Sequence, residues 1–166
     1  MAKAGGESFE QGCFGSAVSS ELLPNLQEND FFYGVSRSVV DDSAEAFRMA
    51  NLPDATILYN RKSVSTRVFL ILRGAVQIGY PTIGRKRAVA TLRSGRFTGE
   101  VSLMPGGEPL HQVTATCVAP TLLCWAKAAD ITALVSGTPQ IALNVAQSLH
   151  ARVADALTAI DDFDVA

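Results

Sequence analysis

The sequence predicts a mainly β domain with flanking helices: an antiparallel β-roll (double-stranded β-helix, jelly-roll-like) followed by a short and a long C-terminal helix. Three observations predict it: short β-branched and aromatic runs in the centre, Gly- and Pro-containing turns between them, and helical periodicity on both sides. The 166 residues, 48% of them hydrophobic, suit one domain large enough to bury a core.

The N-terminal third divides into a lead-in and a weakly helical stretch. Residues 1–20 are rich in Gly, Ser and Ala and show little periodicity, which predicts a flexible lead-in. Ala44, Phe47 and Ala50 then recur at three-residue spacing, which favours a helix. A single domain over 21–166 is therefore expected, with these parts: helical 21–51, β-roll 52–126 and C-terminal helices 127–160.

The central region carries the strand signals. Gly74, Ser94-Gly95 and Pro105–Gly107 separate the runs, and Pro81–Gly84 is a hairpin loop candidate. The predicted strands are 56–59, 67–73, 75–80, 86–92, 112–118 and 121–126.

The last predicted helix follows Thr138-Pro139, a capping residue and a proline at the first helical position. It carries an apolar stripe with the 4-3-4-3-4 spacing of a coiled-coil seam. Such a stripe needs a cover. We favour a second copy of the helix, which would make the protein a homodimer; the alternative is that the helix is buried in its own domain. The candidate dimer interface is Ala142, Ala146, Leu149, Val153, Ala156 and Ile160.

Composition argues against several classes of function. A net charge of −2 does not suit a surface that coats duplex DNA, and no apolar run is long enough to span a bilayer. His111 and His150 are too few for a histidine metal centre, and no nucleophile elbow, Walker loop or HExxH motif occurs. The sequence therefore predicts neither an enzyme nor a metal site. Three cysteines without metal-like spacing indicate reduced thiols in a cytoplasmic protein.

Four motifs in order resemble the cyclic nucleotide-binding domain family, which includes catabolite-activator-like sensor domains. The resemblance implies a β-roll whose phosphate-binding cassette lies near Phe97–Glu100, with a long helix closing over the pocket. The motifs are Leu52–Leu58, Val68–Ile78, Leu92–Leu103 and Leu134–Arg152.

The chain departs from the family where the phosphate would be held. In the family, a glutamate corresponding to Glu100 accepts from the ribose, and an arginine in the next loop clamps the cyclic phosphate. Pro109 or Leu110 stands at the arginine position, and His111 or Gln112 replaces the small residue after it. The cassette is therefore degenerate, and ordinary cyclic AMP binding is not expected.

Two candidate site residues leave alternatives open. Glu100 is either a ligand contact or a structural acceptor for loop N–H groups. His111 either replaces the arginine weakly or, as is commoner for a loop histidine, is simply exposed. The candidate ligand-binding residues are Phe97, Gly99, Glu100, Val101, Ser102, Leu110, His111 and Gln112.

These features predict a non-catalytic regulatory sensor or interaction domain that is dimeric through its last helix. No cofactor is assigned, although a cyclic nucleotide or another small anion could occupy the cassette. The alternative is a ligand-independent scaffold for dimerisation or for a partner protein. Only the acidic segment 161–166 follows the last helix, so DNA binding by this chain is not expected. The lack of a long apolar run predicts no membrane insertion.

Overall fold

A computed structural model describes residues 9, 15–82, 85–106 and 108–164. The side chains of residues 81–87 and 159–164 are not among those described. Nine strands form in these residues: β1 (Ser16–Ala17), β2 (Arg48–Leu52), β3 (Ile57–Tyr59), β4 (Arg67–Arg73), β5 (Ala75–Thr82), β6 (Arg85–Arg93), β7 (Phe97–Thr98), β8 (Thr114–Cys117) and β9 (Thr121–Lys127). Four α-helices accompany them: α1 (Leu23–Gln27), α2 (Arg37–Ser43), α3 (Ala128–Gly137) and α4 (Pro139–Asp164). Short 3-10 helices lie at Ser20–Leu22, Asp30–Phe32, Ala44–Ala46 and Glu100–Leu103.

The strands form two antiparallel sheets, which confirms the predicted roll. One sheet has the order β1-β2-β9-β4-β7 and the other β3-β8-β5-β6. The β5–β6 hairpin pairs as far as Thr82↔Arg85, and the residues that join these two, 83–84 of the predicted loop, lie outside the described part. All strand pairs named here are antiparallel. Paired strands that also follow one another in the chain, such as β5 and β6, can therefore be joined by a short loop.

Strand β4 separates two hydrophobic clusters because successive side chains in a strand point to opposite faces. Phe69 and Ile71 pack inside the roll with residues of the second sheet such as Val76. Val68 and Leu70 pack on the other face, against the helices. The roll interior and the helix-facing core are therefore distinct, and the candidate site lies where β4 meets both.

The segment predicted to be helical over 21–51 ends in a strand. Arg48–Leu52 pairs with β9 over five residues, from Arg48↔Trp125 to Leu52↔Thr121. Ala50 and Leu52, two residues apart, are both buried in the roll interior, so the buried positions follow the two-residue period of a strand. The helical prediction for Phe47 and Ala50 was wrong. They do not share a buried face, because Phe47 packs in the helix-facing core and Ala50 in the roll interior, as residues three apart in an extended chain do.

The described part of the predicted lead-in is held in the fold. Ser16 and Ala17 pair with β2, and Phe9 is buried among the side chains of the roll. Residues 1–8 and 10–14, which include Cys13, lie outside the described residues.

The C-terminal helices agree with the prediction. Helix α3 ends at Gly137, and α4 begins at Pro139 and runs for 26 residues. Ile131 of α3 and Ile141 and Val145 of α4 are buried against the helix-facing core. No helix in the described ranges has the length and apolarity that crossing a membrane requires.

Candidate functional site

The candidate cassette begins where β7 turns into the Glu100–Leu103 3-10 helix. The turn is made at Gly99, whose φ is +82°. A Cβ atom there would also overlap the carbonyl oxygen of Arg67 on β4. Two independent features therefore require glycine at position 99: the left-handed backbone and the close approach of β4.

Local hydrogen bonds hold this turn in place. The carbonyl oxygen of Gly99 accepts from the backbone N–H of Ser102 at 3.1 Å and from its hydroxyl at 2.7 Å. Phe97 is fully buried and contacts Phe31 edge-on, with the ring centroids 5.4 Å apart. Val101 is only partly buried. The predicted residues Phe97, Gly99, Glu100, Val101 and Ser102 thus form one connected turn.

Glu100 is paired with an arginine from the long helix. Its Oε1 accepts from Nη1 of Arg152 at 2.5 Å, and Nη2 of Arg152 donates to the carbonyl of Phe97 at 2.9 Å. The side chains of Glu100 and Arg152 are 2% and 18% exposed. A buried carboxylate is tolerated only when it is paired, and Arg152 supplies that partner.

This ion pair differs from both roles that the sequence suggested for Glu100, since its partner is neither a bound ligand nor a loop N–H group. Oε2 of Glu100 and Nε of Arg152 are buried without a hydrogen-bond partner among the described residues. The cassette is thereby connected directly to α4.

The second half of the site, residues 108–112, runs beside the segment before β4. The backbone of His111 bonds to Lys62 and Ser63, and Leu110 forms an isolated bridge with Val64. Leu110 is 43% exposed. Gln112 is exposed and donates to the carbonyl of Leu110. Neither Leu110 nor Gln112 thus supplies a buried polar group.

His111 is buried, so the expectation of a simply exposed loop histidine was wrong. Its ring lies flat on that of Tyr59, with centroids 3.6 Å apart and planes 7° from parallel. Tyr59 is buried as well, and its hydroxyl shares a hydrogen bond of 2.5 Å with the hydroxyl of Thr98. The loop therefore places the ring of His111 inside the roll.

Burial decides the charge states of this stack. Desolvation lowers the pKa of His111 from 6.5 to about 4, so the imidazole is neutral at pH 7. Desolvation also raises the pKa of Tyr59 far above its ordinary value, which keeps the phenol protonated. The weak positive charge that His111 could have offered a phosphate is therefore absent near neutral pH.

Little space remains beside the stack. The cavity there has a volume of about 10 Å³, the lower limit for holding one water molecule. Its lining residues are Leu58, Tyr59, Val64, Thr66, Arg67, Phe69 and His111.

The candidate dimer stripe is largely uncovered. Ala142, Ala146 and Val153 are exposed, whereas Leu149 and Ala156 are partly buried and Leu149 packs against the helix-facing core. The side chain of Ile160 lies outside those described. Leu157, beside the stripe, is 58% exposed.

Two residues of the site, Tyr59 and Arg152, were missed by sequence reasoning. Arg152 follows Ile141 and Val145 at helical spacing, so the position on the buried face of α4 could have been found. Tyr59 offered no such signal, because a tyrosine at the end of an apolar strand is normally core.

Within the described ranges, no cluster of His, Cys, Asp or Glu could hold a metal ion. Cys117 and Cys124 are free and buried. Burial raises the pKa of both thiols, that of Cys124 to about 12, so neither is a reactive thiolate near neutral pH.

Comparisons with known proteins agree with the fold. The family model described as the cyclic nucleotide-binding domain matches residues 50–137. The cyclic AMP receptor protein of Thermus thermophilus is 26% identical over 137 residues, 82% of this chain and 62% of the relative. The chain therefore spans less than two thirds of that relative.

Solved structures show the same fold. The catabolite activator protein of Thermus thermophilus superposes with a TM-score of 0.68 at 25% identity, over 82% of this chain and 63% of that one. A cyclic nucleotide-binding domain from Methylobacillus flagellatus superposes with a TM-score of 0.73 at 19% identity, over 89% and 85% of the two chains.

Proposed function

Because the chain belongs to the cyclic nucleotide-binding domain family, we propose that it is a non-catalytic regulatory interaction domain whose nucleotide cavity is filled by its own side chains. It acts as a dimerisation or partner-binding unit that needs no cyclic nucleotide to hold its long helix in place. The buried Tyr59–His111 stack carries the proposal, since it occupies the interior that a ligand would need.

Electrostatics supports the same conclusion. A cyclic phosphate needs a fixed positive charge, but Leu110 is apolar and burial keeps His111 neutral. Arg152 is already engaged by Glu100 and by the carbonyl of Phe97. An entering phosphate could recruit Arg152 only by breaking this ion pair.

The same ion pair explains how α4 stays docked without a ligand. In a ligand-dependent sensor the helix moves because the ligand contacts one state better than the other. Here Glu100 and Phe97 supply those contacts from within the chain. The free, buried Cys117 and Cys124 suit a reducing compartment, and we place the protein in the cytoplasm.

Cyclic nucleotide titration tests the filled cavity. We expect no heat and no thermal shift when the wild-type chain meets millimolar cyclic mononucleotides. Combining Tyr59→Leu, Leu110→Arg and His111→Ser empties the cavity and supplies the charge, so this variant should bind with a measurable thermal shift. Tyr59→Leu with His111→Ser alone is the matched control and should bind at least about tenfold more weakly. Wild-type binding by calorimetry would overturn the proposal.

The dimer is tested on the exposed stripe of α4. Val153→Glu together with Leu157→Glu places two carboxylates on this face and should give monomers by light scattering, because charges at the centre of an interface are strongly unfavourable. Gln147→Glu adds a carboxylate to another exposed part of α4 and should leave the mass unchanged. A monomeric wild type would refute the dimer.

A further inference from the structure

A second cavity lies between α4 and the chain segments packed beside its first half. It has a volume of about 270 Å³, close to the lower end of the range of about 300–1,000 Å³ that small-molecule sites occupy. No residue that lines this cavity belongs to the cassette or to the cavity beside the Tyr59–His111 stack. We call it the α4 groove. Its walls include Asp30, Tyr33 and Arg96 on one side and Asn144, Gln147 and Ser148 of α4 on the other.

Hydrogen bonds fix the walls of the α4 groove relative to one another. Asn144 is 4% exposed, and its Nδ2 donates to the carbonyl oxygens of Phe31 and Tyr33 at 3.0 and 2.8 Å. The backbone N–H of Asp30 donates at 2.8 Å to the carbonyl of the residue that precedes Arg96. The groove is therefore formed without a ligand, because α4 is tied to the segment of Asp30 and Tyr33, and that segment is tied to the loop of Arg96.

One positive and one negative side chain face each other in the groove. Nη1 of Arg96 donates to Oδ2 of Asp30 at 2.8 Å, and the two side chains are 61% and 46% exposed. Among the described residues, the Arg96 side chain bonds to Asp30 alone, so Nε and Nη2 of Arg96 and Oδ1 of Asp30 have no protein partner. The pair thus retains both donors and an acceptor that a ligand can use.

The other lining residues are neutral. Tyr33 is 71% exposed and offers an aromatic face, while Gln147 lies exposed on α4. The hydroxyl of Ser148 accepts from Nη2 of Arg152 at 3.2 Å and keeps its own proton to donate. The α4 groove therefore combines one cation, one anion and an aromatic surface, with no net charge.

We propose that the α4 groove binds a small zwitterion with an aromatic group, of which an aromatic α-amino acid is the simplest kind. The carboxylate of the ligand pairs with Arg96, its ammonium group pairs with Asp30, and its ring lies on Tyr33. A ligand with a single charge is attracted by one member of the ion pair and repelled by the other, whereas a zwitterion aligned against the pair meets two attractions.

The groove stays accessible in the proposed dimer. Asn144 and Ala151, which line it, stand two residues before Ala146 and Val153 of the candidate dimer stripe. Two residues correspond to about 200° around an α-helix, so the groove and the stripe occupy opposite sides of α4. A bound zwitterion contacts α4 and the segment packed beside it at once, and it should therefore stabilise their contact.

The test is a two-dimensional NMR titration of the full wild-type chain at neutral pH with L-phenylalanine, hydrocinnamate and phenethylamine. Hydrocinnamate lacks the ammonium group of phenylalanine, and phenethylamine lacks the carboxylate. L-phenylalanine should shift the side-chain amide signals of Asn144 and Gln147 and should bind at least about tenfold more tightly than either analogue. Equal affinities for the three compounds would overturn the proposal, as would the absence of these shifts at tens of millimolar phenylalanine.

Two substitutions assign the two charges. Arg96→Met should abolish the preference for L-phenylalanine over phenethylamine, and Asp30→Asn should abolish the preference over hydrocinnamate. Arg37→Met is the matched control, since the Arg37–Asp41 pair is also exposed but lies outside the groove, and it should leave the affinity unchanged. These side chains are exposed, so the variants should fold. Equal losses of affinity for Arg96→Met and Arg37→Met would refute the assigned site.

Discussion

The two halves of the candidate site are built differently. The Phe97–Leu103 half has a left-handed glycine, a short helical turn and a buried carboxylate joined to α4. The 108–112 half contributes no cation near neutral pH and stacks the neutral ring of His111 on Tyr59.

This difference separates two tasks that one pocket can perform. The Phe97–Leu103 half holds the ion pair to α4. Under the proposed function, the 108–112 half excludes a ligand from the roll. Mutations in the two halves should therefore affect different properties.

The largest effect is expected at the ion pair. Arg152→Met leaves Glu100 buried and unpaired and should lower the free energy of unfolding by about 4 kcal/mol in urea titration. Arg96→Met is the control, because the Arg96–Asp30 pair is exposed and its loss should cost about 1 kcal/mol or less. Adding Glu100→Gln to Arg152→Met should recover part of the loss. Equal losses for Arg152→Met and Arg96→Met would show that the pair does not hold α4.

The next effect is expected at the turn of the first half. Gly99→Ala combines a φ of +82° with overlap at the carbonyl of Arg67, and should cost about 3 kcal/mol. Gly95→Ala has a similar φ of +89° but no atom within 4 Å of the added carbon, so it should cost about 1 kcal/mol. Chemical unfolding of both variants separates overlap from backbone strain, and similar costs would contradict the close packing of β4 on the cassette.

A smaller effect, dependent on pH, is expected in the second half. His111 has a pKa of about 4 when folded and 6.5 otherwise, so between these values the unfolded chain binds more protons. The contribution of His111 to the free energy of unfolding is complete above pH 6.5 and is lost as the pH falls towards 4. The loss between pH 7 and pH 5 is about 2 kcal/mol. His111→Gln should remove this part of the pH dependence in urea unfolding, whereas the exposed His150→Gln should not. An unchanged slope in His111→Gln would contradict a buried, neutral imidazole.

The elements differ in how well the sequence predicts them. Arg67–Arg73 and the start of α4 at Pro139 were predicted to the residue because an apolar strand between polar ends and a Thr-Pro helix start are local signals. Strand β2 was mistaken for helix and β7 was not predicted, since two to five residues carry too little periodicity.

The candidate site shows the same difference between features with a local sequence signal and features without one. Gly99 and Glu100 could be located from one local motif, because they are adjacent in the chain. The partner of Glu100 could not, because Arg152 lies 52 residues away. The burial of His111 and Phe9 likewise depends on surfaces from distant strands.

The sequence alone determined the β-roll between helices and the glycine and carboxylate of the candidate cassette, because each depends on residues that are neighbours along the chain. Tertiary structure alone decided that Glu100 joins the long helix, that His111 stacks on Tyr59, and that Phe9 packs against Phe69 and Trp125. These contacts arise from packing between segments far apart in sequence, where burial changes the charge and accessibility of a side chain without any local pattern to announce it.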